Sequence, residues 1–91
     1  MNDFANALSV SASGLKAQGQ RLRHVAENIA NADTPGYRSK TISFEAEHGM
    51  DATGRVVAGP VRLDQGELSQ IYDPAHPLAD ETGHYDGSNV N

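Results

Sequence analysis

Four large aliphatic residues, Leu8, Leu15, Leu22 and Ile29, stand seven apart near the start of this chain. Phe4 and Val25 stand four residues before the first and the last of them. With Phe4, Ser11, Gln18 and Val25 at d and the four aliphatics at a, the stretch from Asp3 reads as one long amphipathic helix with a coiled-coil seam. A seven-residue repeat held over nearly four heptads keeps one seam facing a partner only if two helices wind left-handedly around each other. The polar Ser11 and Gln18 weaken that seam and offer a way to set its register. Beside it runs a stripe of small residues, Ala5, Ala12, Gly19 and Ala26, also seven apart, which lets another backbone come close.

The helix has a chemical stop. Asn31 is suited to a left-handed C-terminal position, and Asp33-Thr34-Pro35-Gly36 cannot continue a helix, because Pro35 fixes its own φ and pushes Thr34 out of the helical region. Pro35-Gly36 in the two central positions, followed by Tyr37, predicts a type II turn. For Asn28 and Asn31, capping the helix end is the expected role.

After the turn the period changes. Ile42, Phe44 and Ala46 alternate with Thr41, Ser43 and Glu45, which predicts a half-buried strand within Tyr37 to Glu47. Gly49 to Gly54 reads as a loop. Arg55 to Leu63 is β-rich but broken by Gly59-Pro60, and Leu68 to Tyr72 is a short strand after the Asp64–Glu67 turn. The tail carries Tyr72, Pro74, His76, Pro77, Asp80 and Gly83. Its two prolines make it stiff and loop-like. The expected fold is α+β, with residues 1–34 a helix and 35–91 a small β-rich hairpin region and extended tail.

Ninety-one residues allow one small domain. Leu, Ile, Val and Phe number 17, close to the level at which a chain cannot bury enough to order itself alone. Much of the apolar surface is therefore expected to serve neighbours. There is no cysteine, hence no disulfide and no thiolate metal site. A basic n-region followed by a continuous apolar run is not visible, and nothing approaches a membrane span. Residues 1–40 hold five Lys/Arg against three Asp/Glu, while residues 41–91 hold two against nine. That asymmetry fits either a solvated acidic half or basic and acidic surfaces of neighbouring copies packing together.

Sites of chemistry are few. Asp73, His76, Asp80 and His84 form a mixed set of the kind zinc or nickel accepts, but their spacing matches no metal motif and the prolines already account for the stretch. Arg21, Arg23, His24, Arg38 and Lys40 make a basic stripe on an acidic chain that has few aromatics to stack bases, which argues for a salt-bridging face over nucleic acid. Neither a phosphate loop nor a nucleophile–base pattern is present.

Ser13-Gly14-Leu15, Ala17-Gln18, Leu22 and then Ala26 through Arg38 closely resemble the N-terminal signature of bacterial flagellar rod and hook proteins. Tyr72 through Gly83, followed by Asn89-Val90-Asn91, resembles the tail of that family's proximal-rod branch and separates it from a sibling proximal-rod branch. Residues 84–88 depart from that branch's pattern, which leaves their local path open. The resemblance implies a structural subunit without catalysis or cofactor. It implies export through the flagellar type III apparatus without a cleaved signal, and assembly with other copies and other rod subunits in the periplasmic rod. It implies neither nucleic-acid binding nor a membrane span. It also implies a C-terminal helix beyond Asn91 that pairs with the first helix, so that the chain looks like the first two-thirds of such a protein.

Overall fold

The structure is a computed structural model that describes residues 2–47 and 54–91. Of the loop expected at Gly49 to Gly54, all but Gly54 lies outside the described residues. Among the described residues the elements are one helix, α1 (Asp3–Ala30), and six short strands: β1 (Lys40–Thr41), β2 (Phe44–Ala46), β3 (Val56–Ala58), β4 (Arg62–Leu63), β5 (Gln70–Tyr72) and β6 (His84–Asp86). They pair as β1 with β4, β2 with β3 and β5 with β6. This is the α+β arrangement expected.

At its N-terminus α1 is capped by Asn2, whose Oδ1 accepts the Ala5 N–H at 2.7 Å, and Asp3 in the first turn suits the helix dipole. Twenty-eight residues give a rod roughly 40 Å long. The C-terminus differs from the expectation for Asn31. None of the described non-glycine residues has a positive φ, so Asn31 is not left-handed. Its side-chain amide instead donates to the Glu27 carbonyl at 2.9 Å, and its backbone N–H donates to the same oxygen at 3.0 Å. A side chain that satisfies a last-turn carbonyl removes the need for a left-handed residue there.

Contacts divide the chain into two units: Met1–His24 with Thr41–Arg62, and Val25–Lys40 with Leu63–Asn91. In the first, β2 and β3 are antiparallel with Glu45 opposite Val57. The strand expected across Tyr37 to Glu47 is split in two, with Ile42 and Ser43 between the pieces. Ser43 accepts the Gly59 N–H at 2.7 Å, and Ile42 is buried. The Gly59-Pro60 break falls as expected, between β3 and β4. In this unit the helix buries Ser13 and Ala17 and half-buries Ala5, Ser9, Val10, Gly14, Gln20 and His24. Of these, Val10, Ser13, Ala17, Gln20 and His24 are c and f positions of the heptad, the side opposite the a/d seam. Ala17 is 1% exposed and Ser13 7%. Small side chains bring a strand close, and Ser13 Oγ accepts the Val56 N–H at 2.9 Å while donating to the Val10 carbonyl at 2.7 Å.

In the second unit β5 and β6 form an antiparallel hairpin with Ile71 opposite Tyr85. Residues 84–86, whose path the sequence left open, are therefore a strand. Gly87-Ser88-Asn89 follows it into the most buried part of the unit, Ser88 being 4% and Asn89 9% exposed. A side chain at Gly87 would strike Ile71, its Cβ standing 2.7 Å from the Ile71 Cδ1.

Candidate functional site

Every large apolar side chain of the predicted seam is exposed: Phe4, Leu8, Leu15, Leu22, Val25 and Ile29 range from 42% for Val25 to 75% for Leu15. Of the small stripe, Ala12, Gly19 and Ala26 are also exposed and Ala5 is half-buried. The seam and stripe thus form a continuous a/d/e surface that the described chain does not cover. Burying a Leu or Ile side chain contributes about 1.5–3 kcal/mol, and among the described residues only Ala17 and Ile42 are buried hydrophobics.

The signature after the helix is a hydrogen-bonded joint. Tyr37 N–H donates to the Thr34 carbonyl at 3.1 Å and Gly36 has φ +75°, which is the expected type II turn with Pro35 and Gly36 in its centre. Thr34 Oγ1 donates to Asn31 Oδ1 at 3.1 Å. Asp33 is exposed. Asn28 does more than cap. Its Nδ2 donates to the Lys40 carbonyl at 2.9 Å and its Oδ1 accepts the Lys40 N–H at 2.8 Å, so one side-chain amide pairs with a backbone as a strand would. The same Oδ1 accepts the Tyr37 hydroxyl at 2.9 Å. Beside it Lys40 Nζ lies 2.6 Å from Glu27 Oε2, and that carboxylate, by hydrogen bond and by charge, holds Lys40 above its ordinary pKa.

Gly36 is where a substitution reports on the turn. A Cβ built there meets nothing within 4 Å, so the penalty for a side chain is conformational and not steric. Gly36→Val is expected to destabilise the chain by about 1–2 kcal/mol, whereas Gly36→Asn, which enters the left-handed region more readily, is expected to cost less. Urea unfolding of the three proteins checks this, and equal stability of the Val and Asn variants would remove the role of φ.

The tail is packed by its own motif. His76 stacks on Tyr85, ring centroids 3.9 Å apart and planes 12° apart, and Tyr72 meets His84 edge-on at 5.1 Å. His76 Nδ1 accepts the Leu78 N–H at 3.1 Å, with Pro74 and Pro77 in the turns on either side. Asp80 Oδ1 accepts the Thr82 hydroxyl at 2.7 Å and the N–H groups of Thr82 and His84 at 2.9 and 3.1 Å. The Thr82 hydroxyl, then the His84 N–H, draw its pKa below the ordinary carboxylate value. Gly83 has φ +84° and its Cβ would stand 2.8 Å from the Tyr72 ring. Among the described residues no three His, Asp or Glu side chains converge on a common point, and those of the weighed metal set are committed to this packing where they make contacts. Of the basic stripe, Arg21 lies over the Phe44 ring at 4.6 Å, and Arg38 and Lys40 have partners of their own.

The sequence did not disclose what Gly87, Ser88 and Asn89 do in this unit, although Asn89 belongs to the resemblance of the tail. Asn89 Oδ1 accepts the Ser39 N–H at 2.7 Å, and its Nδ2 donates to the Asp64 and Gly66 carbonyls at 2.9 and 3.3 Å. Arg38 Nη1 donates to the same two carbonyls, each at 3.0 Å. Ser88 Oγ donates to the Ala32 carbonyl, and Gly36 N–H reaches the carbonyls of Asp86 and Gly87 at 3.2 and 3.0 Å. The C-terminal Gly-Ser-Asn run thereby clasps the signature turn. The available signal was the run's small-polar character immediately before Val90.

Comparison with known proteins follows the same residues. Residues 8–38, which hold the seam, the helix end and the turn, match the family described as flagella basal body rod protein. A flagellar basal-body rod protein FlgC of Agrobacterium fabrum is 41% identical over 100 residues, covering all of this chain and 71% of that protein. The FlgC of Salmonella typhimurium is 34% identical over 93 residues, covering 94% of this chain and 69% of its own length. The FlgC of Aquifex aeolicus is 38% identical over 92 residues, covering 92% and 67%. At these identities, across the helix signature and the tail alike, this chain belongs to the FlgC-type family of flagellar basal-body rod proteins.

Proposed function

We propose that the chain works as a structural subunit of the flagellar proximal rod and that the a/d/e face of α1 is the surface through which it joins its neighbours. The observation that carries this is the exposure of all six seam side chains on the side of the helix opposite the strands. Association that buries this face against other helices supplies the hydrophobic gain the chain does not make internally. A heterologous contact that does not close on itself propagates into a filament, the geometry a drive shaft needs.

In this reading residues 1–34 bind neighbours, and residues 35–91 set how each copy is aimed. The turn at Asn31, Asp33, Pro35 and Gly36 directs the chain from the helix into its β-rich part. Partners are other copies of the chain and other rod subunits, and delivery is by the flagellar type III export apparatus into the periplasm without a cleaved signal. The chain acts without catalysis. Among the described residues no helix is long and apolar enough to cross a membrane. The sibling assignment, FlgB, is not favoured, since the matching relatives quoted above are FlgC proteins and the tail matches along with the helix.

The test is complementation. Cells lacking the gene are expected to build no rod and not to swim. Restoring the full gene with an epitope tag is expected to return motility and to place the tagged protein in purified basal bodies. Swimming cells whose basal bodies lack the tag would overturn the assignment.

A further inference from the structure

We propose that Lys16, Arg21 and Arg23 are specificity-determining residues of the exposed face of α1: they bar two copies of α1 from joining one another through it. The inference rests on the subunit reading above and names what that surface refuses.

Around a heptad helix the positions run g, d, a, e, b, with f and c behind. A face made of d, a and e is therefore bordered by g on one side and by b on the other. The Lys, Arg, Asp and Glu residues of α1 are Asp3, Lys16, Arg21, Arg23 and Glu27. Lys16 and Arg23 fall at b and Arg21 at g, whereas Asp3 and Glu27 fall at c and f, away from the face. Every charge that borders the face is thus positive, and all three lie in the first unit. All three side chains are exposed, and among the described residues none of them forms an ion pair. Arg21 lies over the Phe44 ring, a contact that brings it no counter-ion. Glu27 is already held by Lys40.

The leucines of the seam do not discriminate, because hydrophobic attraction is non-directional and a second copy brings the same leucines. The borders do. In a parallel pair the g side of each helix faces the b side of the other. Arg21 of one copy then falls between Lys16 and Arg23 of the other, and the arrangement repeats on the opposite edge. In an antiparallel pair b faces b, and Lys16 of one copy meets Arg23 of the other. Neither orientation brings a carboxylate to the border. Ala12 and Gly19, at e, are exposed and small, so nothing bulky separates the seam from the b residues, and their long side chains reach the partner. Four exposed like-charge contacts in the parallel pair weaken it about tenfold or more. A helix with neutral or acidic borders meets no such penalty, so discrimination between partners comes from repulsion of the wrong one. A subunit of this kind stays single among its own copies until a different helix is offered.

The test is the sign of the salt dependence of self-association, read by sedimentation equilibrium of the purified full-length protein. Two double variants leave Arg21 on Phe44: Lys16→Gln with Arg23→Gln, and Lys16→Glu with Arg23→Glu. Far-UV circular dichroism checks that both keep the parent's fold. At low salt the parent is expected to be monomeric and the Gln variant to dimerise at least about tenfold more tightly. The Glu variant is expected to dimerise more tightly still, since each Arg21 then falls between two carboxylates of the other copy. Raising the salt to about 1 M, where the Debye length is about 3 Å, is expected to strengthen the parent's association, to weaken that of the Glu variant and to leave that of the Gln variant unchanged. A parent that dimerises at low salt as tightly as the Gln variant overturns the proposal, and so does the absence of a dimer from all three proteins at both salt concentrations. Either result leaves the rod assignment to the tagged-gene complementation above, whose failure is read separately.

Discussion

Cells carrying Leu15→Asp together with Leu22→Asp are expected to make the protein at normal levels and to build no rod. Both leucines are exposed, 75% and 67%, so the chain's own packing loses little. Surface substitutions of this kind usually stay within about 0.5 kcal/mol, and the far-UV circular dichroism of the variant is expected to match the parent. Assembly is another matter. A seam that packs against another helix would have to bury two carboxylates without partners, at a cost of several kcal/mol, while also losing about 1.5–3 kcal/mol of burial per leucine. Asn6→Asp, exposed on the opposite side of the same helix, serves as the control and is expected to swim. Normal swimming by the double leucine variant would mean that the exposed face is not the assembly surface.

The second large effect lies at the other end of the chain. Asn89→Ala is expected to destabilise the second unit by on the order of 3 kcal/mol, because three backbone groups lose a partner in a buried setting. The Ser39 N–H loses its acceptor outright. The Asp64 and Gly66 carbonyls keep the Arg38 guanidinium, which limits the damage. In a domain of this size that corresponds to a fall in melting temperature of roughly 10–20 °C. Asn89→Asp separates the two halves of the amide, since it keeps an acceptor for the Ser39 N–H and loses both donors, and its melting point is expected between the other two. A melting temperature for Asn89→Ala within a degree or two of the parent would show that the clasp between the tail and the signature turn contributes nothing to stability.

These two sites differ in how visible they were beforehand. The seam was legible because a heptad of large aliphatic residues leaves a periodic trace whether or not its partner is present. The turn was legible for a related reason: Pro35 and Gly36 act through their own backbone angles, and local conformational preference is written in local sequence. The break at Gly59-Pro60 belongs with them. Asn89, Ser88 and Gly87 were not legible as a unit, since their value comes from backbone groups at Ser39, Asp64, Gly66 and Ala32, from 23 to 56 residues away along the chain. Nothing about a Gly-Ser-Asn run says which distant carbonyl it will meet.

The helix shows the same division most plainly. From its sequence alone, α1 was long, began near Asp3, stopped before Pro35 and carried one apolar seam. Which side the chain's own strands would cover was decided only by tertiary structure, and it was the side away from the seam, where Val10 is the one aliphatic residue larger than alanine. Ser13 and Ala17 give β3 a close approach and a hydroxyl for the Val56 N–H, and a bulky seam would have held the strand too far away to make that bond. A periodic pattern reports which face of a helix is apolar. It does not report whose surface will bury that face, because hydrophobic attraction is non-directional, whereas the hydrogen bond that seats β3 depends on a distance set only in the folded chain.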